Sequence, residues 1–509
     1  MDTAPLTGPR LGIAALALAL GTFMQVLDTT IANVSLTTIA GNLGVSADNS
    51  TWVITAFAVA NGVTVPLTGW FMGRFGVVRT FVVSVLLFTA ASLLCGVAWS
   101  LPSLILFRLL QGAVSGPMIP GSQALLISIF PESKRATALG IWSMTTLVGP
   151  VAGPILGGYI SDNYHWGWIF LINVPVGLVA GLVSWALLRR RETATHRLPI
   201  DVVGLLLLAF WVGTLQMVLD LGKNADWFNS SFILVTALLS ALGFVCWLMW
   251  ELTEARPAVD LRLLGDRNFA LGTAAFCLGY ALFFGNTLLL PLWLQMQLGY
   301  TATWAGLVSA PSGLVAVLCT PLIAPLSARV DARWLGTLAF AAFALSYFMR
   351  AGYTTYADYW HFTLPLLVQG VAMSTFFLAM LTISLGGIPP ERTPSATGIS
   401  NFARITGGSF AASIVTTIWD RREALHQTRL AEASSPFQGP FPGAVTHLAG
   451  QGLSEHQAQG AIARQLVGQA YLLSATDIFW ACGWISLGLI AFVWLARRPP
   501  APTGPIAAD

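Results

Sequence analysis

One acidic residue inside an apolar stretch is the first candidate for chemistry in this sequence. Asp28 lies in the run from Met24 to Asn33, far from any cluster of charge. A carboxylate at the depth of a bilayer is costly, and desolvation disfavours its charged form. We therefore expect the Asp28 carboxyl to bind and release a proton near neutral pH, as a proton-coupled carrier requires. The alternative is a structural carboxyl that is hydrogen-bonded to a neighbouring helix.

Two arginines also lie in apolar segments. A buried guanidinium needs a partner, and for Arg108 the candidates are Asp28, Gln111 and backbone carbonyl groups. Both a structural pairing and a transport role fit Arg108. Arg404, close to Asn401, poses the same question in the second half of the chain.

Small residues recur in one later segment, at Gly140, Gly149, Gly153, Pro154, Gly157 and Gly158. A spacing of four places three of these glycines on one helix face, where another helix can approach closely. The proline removes one backbone hydrogen bond and kinks the helix. We predict a bent, tightly packed seam between two halves of the molecule. Ordinary small-residue packing is the alternative.

Prolines within many apolar segments favour kinked helices around a central cavity, although channels contain such prolines too. Polar and aromatic residues in these segments could line that cavity, and for each one helix packing is the alternative. The candidates are Gln25, Asn33, Asn61, Gln111, Gln123, Trp142, Asn286, Trp293, Gln295, Gln369, Asn401 and Arg404.

The composition requires a membrane. Of 509 residues, 55% are apolar and 9% are charged, whereas soluble domains carry about 25% charged residues. A spanning helix needs about 20 mostly apolar residues. Fourteen segments fit, which predicts an all-α membrane protein; they are 11–36, 51–72, 80–99, 102–128, 137–160, 167–188, 201–220, 230–250, 269–296, 303–327, 335–351, 361–387, 395–419 and 472–495.

The order of these segments predicts two six-helix bundles with two extra helices between them. We expect an N-terminal bundle at 1–197, a central pair with a cytoplasmic segment at 198–268, and a C-terminal bundle at 269–509. Lys and Arg concentrate in alternate connections, which places both termini in the cytoplasm. Arg350 falls on the opposite, outer side in this scheme.

The outer connection at 420–471 is the largest water-exposed piece. Ser454 followed by Gln457 is a capping-box pattern that predicts a helix from Glu455 to Tyr471. Prolines are expected to break the middle of the segment. It is either a simple connection or a docking surface for a periplasmic partner.

Other kinds of chemistry lack support in the sequence. A GxxxxGK[ST] signature and a soluble domain large enough for an ATPase are both missing, so the energy should come from an ion gradient. The six histidines have no ligand spacing, and the five cysteines lie in apolar stretches without a CxxC pair. We expect no enzymatic activity, cofactor, metal or nucleic-acid partner.

Several motifs together carry a family resemblance over nearly the whole chain. They are Leu27–Val34, Trp52–Thr55, Arg108–Gly112, Gly140–Gly158 and Asn401–Arg404. The chain resembles the fourteen-span drug:proton antiporters of the major facilitator superfamily, and within them the EmrB-type subunits of tripartite efflux pumps. One departure is Gly73, which stands where the superfamily commonly has an acidic residue. A gating salt bridge that uses that position should be absent.

The resemblance implies the major facilitator fold, the bacterial inner membrane and exchange of inward protons for outward amphipathic drugs. It implies Asp28 as the proton-linked acid, Arg108 as its partner and Gly149–Gly158 as the antiporter seam. It also implies a periplasmic adaptor of the EmrA type and a TolC-like outer-membrane channel. A dedicated exporter of one metabolite on the same fold, or a membrane sensor without transport, remains an alternative.

Overall fold

The computed structural model describes residues 6–45, 50, 52–131, 134–195, 201–255, 257–327, 329–433 and 441–497. Within these residues the regular structure is helical, which confirms the all-α prediction. The first part of the chain forms α1 (Gly8–Val34), α2 (Leu36–Leu43), α3 (Trp52–Thr64), α4 (Thr68–Phe75), α5 (Val77–Gly96), α6 (Leu101–Ser115), α7 (Met118–Ile129), α8 (Arg135–Asn163), α9 (Trp168–Leu171) and α10 (Asn173–Leu188).

The rest of the chain begins with a central helical pair and continues with long helices. These are α11 (Val202–Leu221), α12 (Ser231–Thr253), α13 (Arg267–Leu298), α14 (Ala302–Ser327), α15 (Ala332–Ala351), α16 (Tyr359–Leu385), α17 (Thr393–Ala433), α18 (Phe441–Gly450) and α19 (Glu455–Trp494).

Eleven helical segments of the described chain are long and apolar enough to cross a membrane. The number is twelve if α3 and α4, which meet at 59°, form one broken span. Pro66 lies at this break, where a proline cannot donate the next helical hydrogen bond. The predicted fifth and thirteenth segments fall on α8 and α17, which are not among these candidate spans. The count of fourteen spans therefore stays a prediction.

The two central helices form a hairpin on one flank of the molecule. Trp211 of α11 stacks on Trp247 of α12, with ring centroids 4.9 Å apart, and also contacts Phe402 of α17. Val212 of α11 fills the space beside Gly62 of α3. The hairpin therefore touches helices from both parts of the chain, and does not separate them.

Contacts between helix ends agree with the predicted alternation of sides. Arg79 pairs with Glu192, and Asp260 pairs with Arg392, at positions that were all assigned to one side. Lys223 lies 2.9 Å from Asp420, and both were assigned to the other side. Each of these three pairs thus joins connections that were assigned to the same side.

The segment 420–471 is largely helical where it is described. The predicted capping box is present, because Gln457 N donates to Ser454 Oγ (3.3 Å) and Ser454 N donates to the Gln457 side chain (2.9 Å). The predicted helix end at Tyr471 is wrong, since α19 continues without a break to Trp494. Of the three prolines expected to break the segment, Pro442 lies in the first turn of α18, where a proline is tolerated because the backbone N–H groups have no intrahelical partner. Pro436 and Pro440 lie outside the described residues.

Candidate functional site

Asp28 and Arg108 form a buried ion pair between α1 and α6. The exposed fraction of both side chains is 1% or less, and Arg108 Nη1 lies 2.5 Å from Asp28 Oδ2. Among the described residues, the fully buried acidic side chains are Asp28 and Glu251. Taking two charges out of water is offset only by close pairing and additional hydrogen bonds.

Those additional hydrogen bonds come from neighbouring amides. Asp28 Oδ1 accepts from Asn173 Nδ2 of α10 (2.8 Å) and from Gln111 Nε2 of α6 (3.1 Å). Arg108 Nη1 also donates to Gln111 Oε1 (2.8 Å), and Arg108 Nε donates to the carbonyl oxygen of Val53 (3.2 Å). Every charged group of the pair is therefore held by more than one contact.

Further side chains close the cluster off from its surroundings. Ser92 Oγ of α5 accepts from Gln111 Nε2 (2.7 Å) and from Asn173 Nδ2 (3.4 Å). The Arg108 guanidinium lies 4.4 Å from the centre of the Phe57 ring and 5.3 Å from that of Phe170. We call Asp28, Ser92, Arg108, Gln111 and Asn173 the acid cluster. The cluster connects α1, α5, α6 and α10 through the Asp28 carboxylate, whose charge is lost when it binds a proton.

Sequence reasoning named the pair but only part of the cluster. Asp28, Gln111 and a backbone carbonyl were the three partners considered for Arg108, and the structure uses all three. Ser92 and Asn173 were missed. Their only signal was a neutral polar residue in an apolar segment, which many helices share.

The glycine face of α8 packs within the N-terminal part of the molecule. A Cβ at Gly149 would lie 2.4 Å from Val26 Cγ1, and one at Gly153 would lie 2.1 Å from Thr30 Oγ1, both on α1. The predicted seam between the halves is therefore wrong for these glycines. Gly140 faces the other half, since a Cβ there would lie 3.1 Å from Thr320 of α14.

The helix α8 thus has two packing faces, and periodicity alone did not reveal which neighbour each face meets. Gly157 belongs to the α1 face, beside Ile31, and Gly158 is buried. The side chains of Pro154 and Asn33 lie outside the described set.

The other predicted cavity residues are mostly engaged in packing. Asn61 donates to Ser115 Oγ, Trp142 donates to the carbonyl oxygen of Ile119, and Gln295 donates to that of Pro291. Gln25 and Trp293 are buried, and each has a polar atom without a hydrogen-bond partner among the described residues.

A polar contact joins the two halves. Asn401 Nδ2 of α17 donates to Gln123 Oε1 of α7 at 2.9 Å. Arg404 Nε donates to Asn401 Oδ1 at 3.3 Å, and the guanidinium lies 4.5 Å from the centre of the Tyr280 ring. Arg404 therefore stands at the junction of the halves without an acidic partner in the described chain.

Arg350, which the charge pattern assigned to the outer side, lies in the last turn of α15. Its side chain is fully buried, because α15 runs on to Ala351 and α16 folds back beside it. Arg350 Nη2 donates to Gln369 Oε1 and to Ser346 Oγ, the latter at 3.3 Å. Arg350, Gln369 and Asn286 line one cavity between α13, α14, α15 and α16.

A carboxylate does reach the connection near Gly73, but it comes from another part of the chain. Glu192 Oε1 accepts from Val78 N (3.0 Å) and Glu192 Oε2 accepts from Arg79 N (2.8 Å) at the start of α5. Gly76, with φ of 93°, leaves room for this approach.

The sequence of the chain is similar to those of several known proteins. Residues 18–412 match the sequence model of the Major Facilitator Superfamily. The chain is 47% identical to the Multidrug export protein EmrB of Escherichia coli (strain K12), over 97% of each chain. It is 45% identical to the Fatty acid resistance protein FarB of Neisseria gonorrhoeae, over 98% of each chain.

Solved structures share the fold at low sequence identity. A bacterial homologue of the human drug peptide transporters PepT1 and PepT2 superposes with a TM-score of 0.58 at 15% identity, over 95% of this chain and 97% of that one. The human organic anion transporter MFSD10 superposes with a TM-score of 0.56 at 13% identity, over 96% and 100%.

Proposed function

The chain belongs to the major facilitator superfamily, and from this premise we propose that it exports amphipathic drugs and toxic compounds in exchange for protons. The family match and the EmrB relatives make it a multi-pass membrane transporter of the drug-efflux type, and not an enzyme. Proton exchange is the finer proposal, with the proton gradient as the source of energy.

The observation that carries this proposal is the acid cluster. A charged Asp28 is held by Arg108 Nη1 and by amide donors from Gln111 and Asn173. When the carboxyl binds a proton, its attraction to Arg108 falls from that of an ion pair to that between a cation and a neutral hydrogen-bond acceptor. A buried ion pair that loses one charge leaves the other uncompensated, which is strongly unfavourable. Protonation therefore favours a rearrangement of α1 against α6.

Helix packing gives this rearrangement a route to the other half. The segment of α1 around Thr30 lies against the glycine face of α8, where Thr30 Oγ1 also donates to the carbonyl oxygen of Gly149 (3.2 Å). The opposite face of α8 meets α14 at Gly140. A shift of α1 would then be passed through α8 to the C-terminal bundle, as alternating access requires.

The wider setting is proposed from the resemblance and from the relatives. We place the protein in the bacterial inner membrane with both termini in the cytoplasm, divided at 1–197, 198–268 and 269–509. The helical segment within 420–471 would dock a periplasmic adaptor of the EmrA type, and a TolC-like channel would complete the pump. The names of the relatives concern drugs and fatty acids, both of which are largely apolar compounds.

Transport in reconstituted vesicles tests the proposal. The purified protein is placed in liposomes, and movement of a fluorescent amphipathic drug is followed under imposed pH gradients. We expect drug to accumulate in the compartment from which protons leave, and a protonophore to abolish the accumulation. Accumulation that ignores the pH gradient would contradict proton exchange, while a single accepted compound would favour a dedicated exporter.

A further inference from the structure

The C-terminal bundle repeats the acid cluster without its acid. Gln111-Gly112 on α6 corresponds to Gln369-Gly370 on α16, and each glutamine accepts a hydrogen bond from a buried arginine. A Cβ at Gly112 would lie 2.4 Å from the carbonyl oxygen of Phe57, and one at Gly370 would lie 2.5 Å from that of Ser312. The two glycines therefore pack on their neighbouring helices in the same way.

An amide takes the place of the carboxylate in this repeat. Asn286 lies in the second half of α13, as Asp28 lies in the second half of α1. Asn286 Nδ2 donates to the carbonyl oxygen of Leu282 (2.7 Å), and its Oδ1 has no partner among the described residues. A neutral amide leaves the charge of the nearby arginine unbalanced.

Arg350 is the unbalanced charge. It is fully buried, it makes no ion pair within the described chain, and its Nε has no hydrogen-bond acceptor there. The fully buried acids of the described chain, Asp28 and Glu251, both precede α13. Stacking near Tyr347 and Phe479 and a neutral acceptor from Gln369 stabilise the cation only in part. An isolated buried charge calls for a counter-charge.

The space next to Arg350 is suited to an anion that carries an apolar tail. The cavity is lined by Arg350, Gln369, Asn286 and the hydroxyl-bearing residues Ser309 and Ser312, and by the apolar residues Phe283, Leu290 and Met373. Apolar walls with a few placed polar groups are typical of small-molecule sites. Gly306, which also lines it, packs on Ile155 of α8, so the cavity adjoins the junction of the halves.

We propose that this Arg350 cavity binds the anionic headgroup of an amphipathic substrate, with a carboxylate as the chemical class. A carboxylate presents two oxygens to a guanidinium and matches its single charge. Arg350 Nε, which has no acceptor among the described residues, can donate to one of these oxygens. The apolar tail would lie along Phe283 and Leu290. The description of the bound anion as a substrate rests on the proposed export function. Binding itself does not require proton exchange.

Equilibrium binding tests the proposal with two probes that share one tail. Radiolabelled dodecanoate and dodecanol are titrated against the full-length protein in detergent, with protein-free micelles subtracted. We expect the wild type to bind dodecanoate at least about tenfold more tightly than dodecanol, because a charge-assisted pair is worth about 1.4 kcal/mol or more. Equal binding of the two probes by the wild type would overturn the proposal without any variant.

Substitutions locate the site. Arg350→Gln should lose the preference for dodecanoate while dodecanol binding stays unchanged, and Arg350→Lys should keep part of it. If Arg350→Gln does not fold, Ser309→Leu, which fills the cavity from α14, should weaken both probes. Unchanged preference in Arg350→Gln, or unchanged binding of both probes in a folded Ser309→Leu protein, would place the anion elsewhere. Asp28→Asn should retain the preference, which separates failure of this inference from failure of proton exchange.

Discussion

The Asp28 carboxylate receives hydrogen bonds from Arg108, Gln111 and Asn173, three side chains on two other helices. Such a carboxylate is stable inside the protein only while its donors remain in place. The same contacts make the arrangement sensitive to a proton, since a neutral carboxyl no longer balances Arg108. The protonation state of Asp28 is therefore linked to the positions of the helices that carry its hydrogen-bond donors.

Removal of one member of the ion pair should cost more than removal of both. Arg108→Leu leaves Asp28 buried and unpaired, and we expect it to lower the stability of the folded protein by about 3–5 kcal/mol. The double variant Asp28→Asn/Arg108→Leu should recover much of that loss. Thermal unfolding in detergent, followed by tryptophan fluorescence, gives the comparison. A double variant that is no more stable than Arg108→Leu would speak against a paired charge.

Asn173 should set the pH range of exchange. Asn173→Ala removes one donor to the charged carboxylate, which favours the protonated form. We expect the pH profile of drug–proton exchange to differ from that of wild type, since the Asp28 carboxylate loses one of its three hydrogen-bond donors. Asn61→Ala is the matched control, because Asn61 donates to Ser115 outside the acid cluster. An identical pH profile for wild type and Asn173→Ala would exclude this role.

The charged members of the site were predictable and the neutral members were not. A charge in an apolar run is costly and rare, so Asp28 and Arg108 attract attention from sequence alone. Ser92 and Asn173 carry no such cost, and their role appears only once α5 and α10 are packed beside α1. The burial of Arg350 was not predicted, because it lies close to the end of its helix, where a basic residue usually faces water.

At the level of helices, α8 connects the acid cluster to the second half. Its glycine face requires backbone contact with α1, where the space beside Gly153 is filled by Thr30. Periodicity in the sequence predicted this face correctly. It did not predict the neighbour, because the spacing of small residues contains no information on which helix approaches them.

A single methyl group on this face should disturb transport. Gly153→Ala places a Cβ 2.1 Å from Thr30 Oγ1, so α1 and α8 must move apart. We expect drug export to fall at least about tenfold with normal insertion, since helix contacts in membranes depend on close approach. Gly488→Ala on α19 is the matched control, because nothing lies within 4 Å of that position. Equal export rates for both variants would remove the α1–α8 contact from the mechanism.

At the level of the whole molecule, composition and charge pattern predicted the class of fold, and local signals predicted several boundaries. The capping box at Ser454 marks the start of α19, as expected. The extent of the outer segment was not predictable, because polar helices that continue a membrane span have no apolar period of their own. The result is a helical extension of α17 over 420–433, where a loop was expected.

The outer helical segment should serve assembly and not transport. Deletion of residues 441–453 removes α18 and leaves α17 and α19 in place. We expect drug accumulation in vesicles to stay unchanged, because the acid cluster and the junction of the halves are untouched. Co-purification with an EmrA-type adaptor should be lost. Full retention of the adaptor by the deletion variant would remove this segment from the interface.

Drug-evoked proton movement tests the central claim most directly. Everted vesicles with an acidic lumen receive drug from outside, and the pH of the lumen is followed with a trapped dye. Wild-type protein should release protons from the lumen when drug is added, and Asp28→Asn should not, although it inserts normally. Glu251→Gln, which alters the other fully buried acid of the described chain, should behave as wild type. Normal drug-evoked proton release by Asp28→Asn would contradict the account.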